Sequence, residues 1–255
     1  DFRDGLLFEP LRPYNFLEKF KFVKLERKVC SAADLVVSVS SEITSYFKNT
    51  YSVENAVTIP NGFRDWNDNV KNEIGVESNP MKPIEILYTG NISKSRSSLF
   101  SSLKVVVKAY DLLSTEQKER LSIKFVGSYS KNELELISGR FNVLPKVERE
   151  TALKMQSEAD YFLLFTGLDK SVLTGKLFEY LSCRKPIIGI TNSGSAEYVI
   201  HSTESGTCFN HQQISELFNY LSNRKRLPKM ERYKVNDFKR SILNERYVSE
   251  IFNIK

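Results

Sequence analysis

A short stretch in the second half of the chain carries the residue types and spacing that nucleotide binding requires. Thr174 precedes a predicted helix over 176–183, so the first free backbone N–H groups lie near Gly175 and Lys176. A helix N-terminus attracts anions, and a lysine adds a point charge to the same place. Glu179 lies one turn deeper on nearly the same face, where a carboxylate can accept two hydroxyl hydrogen bonds. A phosphate site next to a site for two hydroxyl groups predicts a nucleotide ligand, which carries both a phosphate and a ribose diol.

This stretch differs from the phosphate-binding loop that it partly copies. Gly175 and Lys176 follow the apolar run 161–165, as in a P-loop. However, Lys170 stands where the first glycine of that motif belongs, and Leu177 stands in place of the Ser or Thr that binds magnesium. We therefore exclude an NTPase. The chain has no G-x-G-x-x-G, which weakens a dinucleotide-binding interpretation.

The elements that must position these residues follow an alternating pattern of strands and helices. This alternation predicts an α/β fold with a doubly wound parallel sheet and a ligand at the carboxyl ends of its strands. Gly90 follows one predicted strand and allows close approach of the backbone to a ligand, and Lys94 and Arg96 follow in the same turn. The predicted strands are 34–40, 56–59, 84–88, 122–126, 142–144, 161–165, 187–190 and 206–209.

The segment GKLFEYL at 175–181, followed by RKPII at 184–188, resembles the donor-binding segment of group 1 (family 4) retaining glycosyltransferases. The resemblance implies the GT-B architecture of two Rossmann-like domains. It also implies that Glu179 binds the ribose of a nucleotide-sugar and that the base rests against the loop 145–147, including Val147. The further donor-binding positions that it implies are Gly90, Thr174, Gly175, Lys176 and Leu177.

The chain departs from the family pattern at two places. The family has two glutamates separated by seven residues, and the first would fall at Ser171. Because that glutamate is credited with contacts to the donor sugar, we expect altered sugar recognition, with Asp169 in the same loop as the candidate substitute. The loop after Gly90 lacks the usual Gly-Arg-x-x-x-Lys-Gly spacing. The resemblance nevertheless implies catalytic contacts from Lys94 or Arg96 to the donor diphosphate.

The resemblance also predicts how the chain is divided. Residues 1–75 are expected to form the trailing part of an N-terminal, acceptor-side Rossmann-like domain with its linker. Residues 76–235 are expected to form the C-terminal domain that binds the nucleotide-sugar. Residues 236–255 are expected to form a terminal helix that crosses back onto the N-terminal domain.

Composition limits the class of protein without choosing a substrate. The hydrophobic content of 41% fits a globular protein, and a net charge of +6 suits nucleic acid, anionic lipid or phosphorylated substrates equally. Three cysteines without metal-type spacing suggest reduced thiols, cytoplasmic localisation and no metal site.

A predicted helix over 14–33 admits two interpretations. Its apolar residues recur at helical spacing, which favours packing against a core, and Lys21, Lys24 and Lys28 form a second stripe. The stripe is either a solvated face of a packed helix or a basic patch toward anionic lipid at the inner face of the membrane. The apolar residues of this helix are Phe16, Phe20, Val23, Leu25 and Val29.

Taken together, the sequence predicts a hexosyltransferase-type enzyme. It would transfer sugar with retention from a UDP- or GDP-sugar to a glycan or polyprenyl-linked acceptor in cell-surface polysaccharide synthesis. We expect no cofactor, no metal and no nucleic-acid partner, with peripheral membrane contact as the lipid interpretation implies. The alternatives are a catalytically inactive nucleotide-sugar-binding subunit and a nucleotide-sugar epimerase.

Overall fold

The computed structural model describes residues 1–2, 7–8, 14–64, 82–92, 98–223 and 234–253. Within them the strands are β1 (Val36–Ser38), β2 (Ala56–Thr58), β3 (Ile84–Thr89), β4 (Leu121–Val126), β5 (Asn142–Leu144), β6 (Tyr161–Phe165), β7 (Ile187–Ile190) and β8 (Gly206–Phe209). The helices are α1 (Phe16–Ala32), α2 (Ser41–Tyr51), α3 (Leu99–Asp111), α4 (Thr115–Glu119), α5 (Lys131–Ile137), α6 (Arg149–Glu158), α7 (Gly175–Ser182), α8 (Ser195–Ser202), α9 (Ile214–Ser222) and α10 (Arg240–Phe252).

The larger sheet has six parallel strands in the order β5-β4-β3-β6-β7-β8. The chain builds outward from β3 to β5, then returns to the other side of β3 and builds outward from β6 to β8. A crevice therefore opens between β3 and β6 at the carboxyl ends of the strands, which is where open α/β sheets bind ligands. The predicted α/β fold with a parallel sheet is confirmed.

Helices cover both faces of this sheet, because its strands are apolar on both sides. On one face, α3 and α9 bury Leu103, Val106 and Leu217 against the sheet. On the other face, α7 and α8 bury Phe178 and Val199 among the side chains of β6 and β7. The sheet is therefore doubly wound.

The smaller sheet pairs β1 with β2 in parallel, with Val36 opposite Ala56. α1 and α2 pack on one face through Cys30, Ile43 and Phe47. β1 is shorter than predicted, because Ser40 leaves the strand to cap α2, where its side chain accepts a hydrogen bond from the backbone N–H of Ile43.

α10 lies against the other face of the small sheet, where Leu243 packs with Val37 and Ile59. Backbone hydrogen bonds join the start of α10 and the residues just before it to Phe63, which follows β2. The N–H of Phe63 donates to the carbonyl of Phe238 at 3.0 Å, and the N–H of Arg240 donates to the carbonyl of Phe63 at 2.9 Å. Because Phe63 also belongs to the core under α7, this crossing connects the two sheets.

The apolar stripe of α1 does not pack as its spacing favours. Phe16, Phe20, Leu25 and Val29 are exposed, and the buried residues of the helix are Glu26 and Cys30. Polar contacts set this orientation, because the Glu26 carboxylate accepts hydrogen bonds from the hydroxyls of Tyr46 and Tyr51 at 3.0 and 2.8 Å and from the N–H of Leu7 at 3.2 Å. A buried carboxylate needs such partners, so it holds its own side of the helix inward. None of the described helices is long and apolar enough to cross a membrane.

Leu243→Ala should destabilise the protein far more than Ile242→Ala. Leu243 is 6% exposed between α10 and the small sheet, whereas its neighbour Ile242 is 42% exposed. Removing the buried side chain leaves a cavity, which typically costs about 2–5 kcal/mol. Urea denaturation measures both variants, and equal shifts in their midpoints would contradict the packing of α10 on this sheet.

Candidate nucleotide-binding site

The candidate site lies at the carboxyl ends of β3 and β6, where α7 begins. Thr174 has extended backbone angles and caps α7 without a side-chain hydrogen bond to the helix. Its hydroxyl oxygen is buried and has no hydrogen-bond partner in the described part of the chain. Buried hydroxyls are usually paired in native structures, so this one is placed to hydrogen-bond a ligand at the start of α7.

The N-terminus of α7 also leaves backbone donors for a ligand. The N–H of Leu177 donates to the carbonyl of Thr174 at 3.1 Å, whereas no described group accepts from the N–H of Gly175 or Lys176. A β-carbon added at Gly175 would meet nothing within 4 Å, so there is open space beside the first residue of α7. Two free N–H groups at the positive end of a helix can bind an anion.

Lys176 is largely buried and reaches across the crevice to the end of β3. Its Nζ donates to the Tyr88 hydroxyl at 3.0 Å and to the Asn91 carbonyl at 3.4 Å, and lies 4.6 Å from the centre of the Tyr88 ring. Burial lowers the pKa of Lys176 from its ordinary 10.5 to about 8, and the nearby charge of Glu179 opposes that change. The ammonium thus lies beneath the start of the loop that follows β3.

Gly90 makes room for this lysine. Its φ is +109°, a conformation that side chains rarely adopt, and a β-carbon there would lie 2.5 Å from Cε of Lys176. The sequence indicated that this glycine admits a ligand. In the structure Cε and Nζ of Lys176 occupy the space where a side chain at this position would be.

Glu179 follows Lys176 by three residues on α7 and is half-buried. No described group donates a hydrogen bond to its carboxylate, while its backbone carbonyl accepts from the hydroxyl of Ser182 at 2.6 Å. A carboxylate without a partner, one turn below two free N–H groups, can accept hydrogen bonds from the hydroxyls of a bound ligand.

The carboxylate of Asp169 is held within its own loop. It accepts hydrogen bonds from the N–H and the hydroxyl of Ser171 at 3.1 and 3.0 Å. The loop is fixed from outside as well, because the N–H of Ser195 donates to the carbonyl of Lys170 at 2.8 Å and a β-carbon at Gly194 would lie 2.0 Å from that carbonyl oxygen. The position of the first family glutamate is therefore a buried serine that pairs with Asp169.

The other predicted site residues differ in where the structure places them. The side chain of Leu177 lies in the core, so only its backbone faces the N-terminus of α7. Val147 is partly buried after β5 and packs against the same core. Lys94 and Arg96 lie outside the described residues. The structure thus brings together Gly90, Thr174, Gly175, Lys176 and Glu179.

Three tyrosines at this edge of the sheet were not predicted. The Tyr88 hydroxyl accepts a hydrogen bond from the Lys176 ammonium and donates one to the carbonyl of Asn91 at 2.9 Å. The Tyr180 hydroxyl accepts a hydrogen bond from the backbone N–H of Thr89 at 3.0 Å. The hydroxyl of Tyr129, after β4, is buried without a partner among the described residues. An aromatic residue in an apolar strand or helix resembles any other core residue in sequence, so the pattern carried no signal for these hydroxyls.

Potential metal ligands do not cluster in the described part of the chain. Within the described ranges, no three His, Cys, Asp or Glu side chains come together as a metal site would require. The absence of a metal from the reaction stays a prediction from the sequence.

No protein-family model and no curated protein sequence matches the chain. Solved structures do match. The N-terminal domain of trehalose-6-phosphate phosphatase from Candida albicans is 15% identical with a TM-score of 0.68, over 95% of this chain and 64% of that one. The UDP-forming α,α-trehalose-phosphate synthase from Burkholderia xenovorans, solved with glucose-6-phosphate, is 12% identical with a TM-score of 0.66, over 93% and 64%. The lipopolysaccharide outer core galactosyltransferase WaaB is 14% identical with a TM-score of 0.62, over 87% and 62%.

These likenesses show that the chain has the GT-B fold, as the sequence predicted. The chain spans less than two thirds of the length of these three proteins. At identities of 12–15% the comparison establishes the fold and leaves the activity to be argued from the site.

Affinity for a nucleoside diphosphate should fall as the pH rises through about 8, the pKa of Lys176. Losing the ammonium charge should weaken diphosphate binding by roughly three- to tenfold, while nucleoside binding stays unchanged. The free energy of unfolding of the unliganded protein should instead increase with pH. Between about pH 8 and 10.5, Lys176 is protonated in the unfolded chain and largely deprotonated in the folded one, so raising the pH favours the folded state.

Titration calorimetry across this range measures the effect, with Lys176→Met as the matched variant. The variant should show a flat affinity profile over the same pH range. A profile that falls as steeply in Lys176→Met as in the wild type would show that another group is responsible.

Proposed function

We propose that this chain is the donor-binding part of a nucleotide-sugar-dependent glycosyltransferase of hexosyltransferase type. The observation that carries the proposal is the N-terminus of α7. The N–H groups of Gly175 and Lys176 and the hydroxyl of Thr174 have no partner among the described residues there, and one turn below them the Glu179 carboxylate accepts from no described group. The GT-B fold supports the same proposal, since WaaB is named as a galactosyltransferase and the trehalose-phosphate synthase as UDP-forming.

The donor would be bound in three parts. The diphosphate would accept hydrogen bonds from the N–H groups of Gly175 and Lys176, at the positive end of α7. The ribose hydroxyls would donate to Glu179, and the base would rest against the loop at Val147. A UDP- or GDP-sugar has the charge and the hydroxyl groups that this arrangement requires.

The same groups would assist transfer. Negative charge builds on the nucleoside diphosphate as it leaves, and fixed donors in a water-poor crevice stabilise that charge. The N-terminus of α7 and the Lys176 ammonium supply positive charge there, and Lys94 and Arg96 are proposed to add to it. We propose transfer with retention to a glycan or polyprenyl-linked acceptor in cell-surface polysaccharide synthesis, in the cytoplasm with peripheral contact at the inner face of the membrane.

A second candidate is a nucleotide-sugar-binding subunit without transfer activity. It is favoured by the geometry around Ser171, where the family has a glutamate that contacts the donor sugar. Ser171 is 2% exposed and its hydroxyl donates to Asp169, so the nearest carboxylate is engaged within its own loop. Such a subunit would bind the nucleotide as proposed and leave the sugar without a charged partner.

A thermal-shift series with UDP, GDP, ADP and CDP should show selective stabilisation by one of them. A ligand that binds only the folded state raises stability by RT ln(1 + [L]/Kd), so selectivity appears directly as a larger shift. The corresponding radiolabelled nucleotide-sugar, incubated with the protein and lipid-linked acceptors, then separates the two candidates. Transfer supports the enzyme, binding without transfer supports the subunit, and no shift with any diphosphate would refute both.

Glu179→Gln should weaken nucleotide binding by roughly ten- to a hundredfold, because a charge-assisted hydrogen-bond acceptor typically contributes about 1.5–3 kcal/mol. The fold should survive, since glutamine keeps the shape and the helix propensity of glutamate. Glu135→Gln on the exposed side of α5 is the matched control and should bind as the wild type does.

A 2′,3′-dideoxy nucleotide makes this test specific to the ribose. The analogue should bind the wild type more weakly, yet wild type and Glu179→Gln should bind it almost equally, because the hydroxyls and the carboxylate belong to one interaction. Calorimetry of the four combinations measures the coupling. Additive losses would show that Glu179 does not hold the ribose.

A further inference from the structure

One face of α1 combines exposed apolar and basic side chains. Positions along a helix advance by about 100° per residue, so these residues lie within a sector of about 140°. We call this sector the outward face of α1. Its apolar and basic members are Phe16, Leu17, Phe20, Lys21, Lys24, Arg27 and Lys28.

The apolar part of the outward face is unusually exposed. Phe16 is 83% exposed, Leu17 70% and Phe20 53%. The three residues lie in the first turns of the helix and form one patch rather than scattered positions. Single exposed apolar side chains are normal on protein surfaces, whereas a contiguous aromatic and aliphatic patch marks a binding surface.

The charged part of the outward face has one sign. Its four basic residues are all exposed, and Lys24 places its Nζ 4.5 Å from the centre of the Phe20 ring. The two acidic residues of α1 lie outside this sector, and both accept hydrogen bonds. Glu18 accepts a hydrogen bond from the N–H of Asn15 at the cap of the helix, and Glu26 is buried against Tyr46 and Tyr51.

The helix cannot turn this face inward. The Glu26 carboxylate holds the opposite side of α1 through its hydrogen bonds to the two tyrosines and to the N–H of Leu7. Cys30, one turn further on the same side, is buried in the core beneath α1. Rotating the patch toward the core would expose Cys30 and break those hydrogen bonds of Glu26.

We propose that the outward face of α1 docks on an anionic lipid bilayer. Phe16, Leu17 and Phe20 would enter the boundary between headgroups and acyl chains, and the four basic residues would lie at the level of the lipid phosphates. A helix with aromatic and aliphatic residues beside lysines on one face binds in the plane of a membrane in this way. This inference specifies the membrane contact of the proposed function and rests on it.

Charge favours a bilayer over a second copy of the chain. A symmetric dimer through this face would bring four basic residues of one copy against the same four of the other, with no acidic side chain in the sector to pair with them. An anionic headgroup layer is complementary both to this charge and to the neighbouring apolar patch.

Flotation with lipid vesicles tests the proposal on the 255-residue chain. The wild type should bind vesicles of phosphatidylcholine and phosphatidylglycerol at least roughly tenfold more tightly than vesicles of phosphatidylcholine alone. Lys21→Gln/Lys24→Gln should lower this affinity by roughly thirtyfold, since each basic side chain near an anionic surface contributes about fivefold. Phe16→Gln/Phe20→Gln should lower it by roughly tenfold or more.

Matched variants exist on other surfaces. Lys108→Gln/Lys154→Gln removes the same charge from α3 and α6, and Val248→Gln/Phe252→Gln removes exposed apolar side chains from α10. Both control variants should bind vesicles as the wild type does. Equal losses in the α1 and control variants, or equal binding to neutral and anionic vesicles, would overturn the proposal.

Two further measurements separate the remaining outcomes. Light scattering would overturn the proposal if the wild type forms a dimer that Phe16→Gln/Phe20→Gln abolishes, because the occupant would then be a second copy. Nucleoside diphosphate binding by the same preparations reports on the proposed function and should be unchanged in every α1 variant. An α1 variant that loses vesicle binding and keeps nucleotide binding would therefore support membrane docking by α1, independently of the nucleotide site.

Discussion

The hydrogen bond from the backbone N–H of Thr89 to the hydroxyl of Tyr180, at 3.0 Å, is the contact on which the arrangement of the site depends. The ladder between β3 and β6 pairs Ile86 and Leu87 and does not extend to the last two residues of β3. A buried N–H without a partner is costly, and Tyr180 of α7 supplies that partner. The stacking of Tyr180 on Phe162, with ring centres 4.2 Å apart, fixes the hydroxyl in place.

This contact determines which way the rest of α7 faces. Lys176 and Tyr180 are four residues apart, so they lie on one side of the helix, and both reach the end of β3. Phe178 and Leu181 then point into the core. Glu179, between these two sets, is left half-buried at the edge of the crevice, and no described group donates a hydrogen bond to its carboxylate. Different residues of α7 thus contact β3, pack in the core and face the candidate ligand site.

Local patterns predicted the elements but not the contacts between them. The strands at 161–165 and 187–190 were predicted with their observed bounds, because short apolar runs between turn residues carry that information in sequence. The position of Glu179 one turn below the start of α7 also follows from helical geometry. The Tyr180 contact joins residues 91 apart, and no local pattern specifies such a pairing. The exposure of the apolar residues of α1 did not follow from their spacing for a related reason, since the partners of Glu26 come from α2 and from the segment near Leu7.

Burial of Lys176 connects the fold to the proposed ligand. Its pKa of about 8 means that the unliganded site holds the ammonium less favourably than water does, and the Tyr88 hydroxyl and the Asn91 carbonyl compensate only in part. An anion at the N-terminus of α7 would lie beside this charge and offset the loss of hydration. Because Lys176 also donates to Asn91, the same charge that favours an anion is attached to the start of the loop after β3.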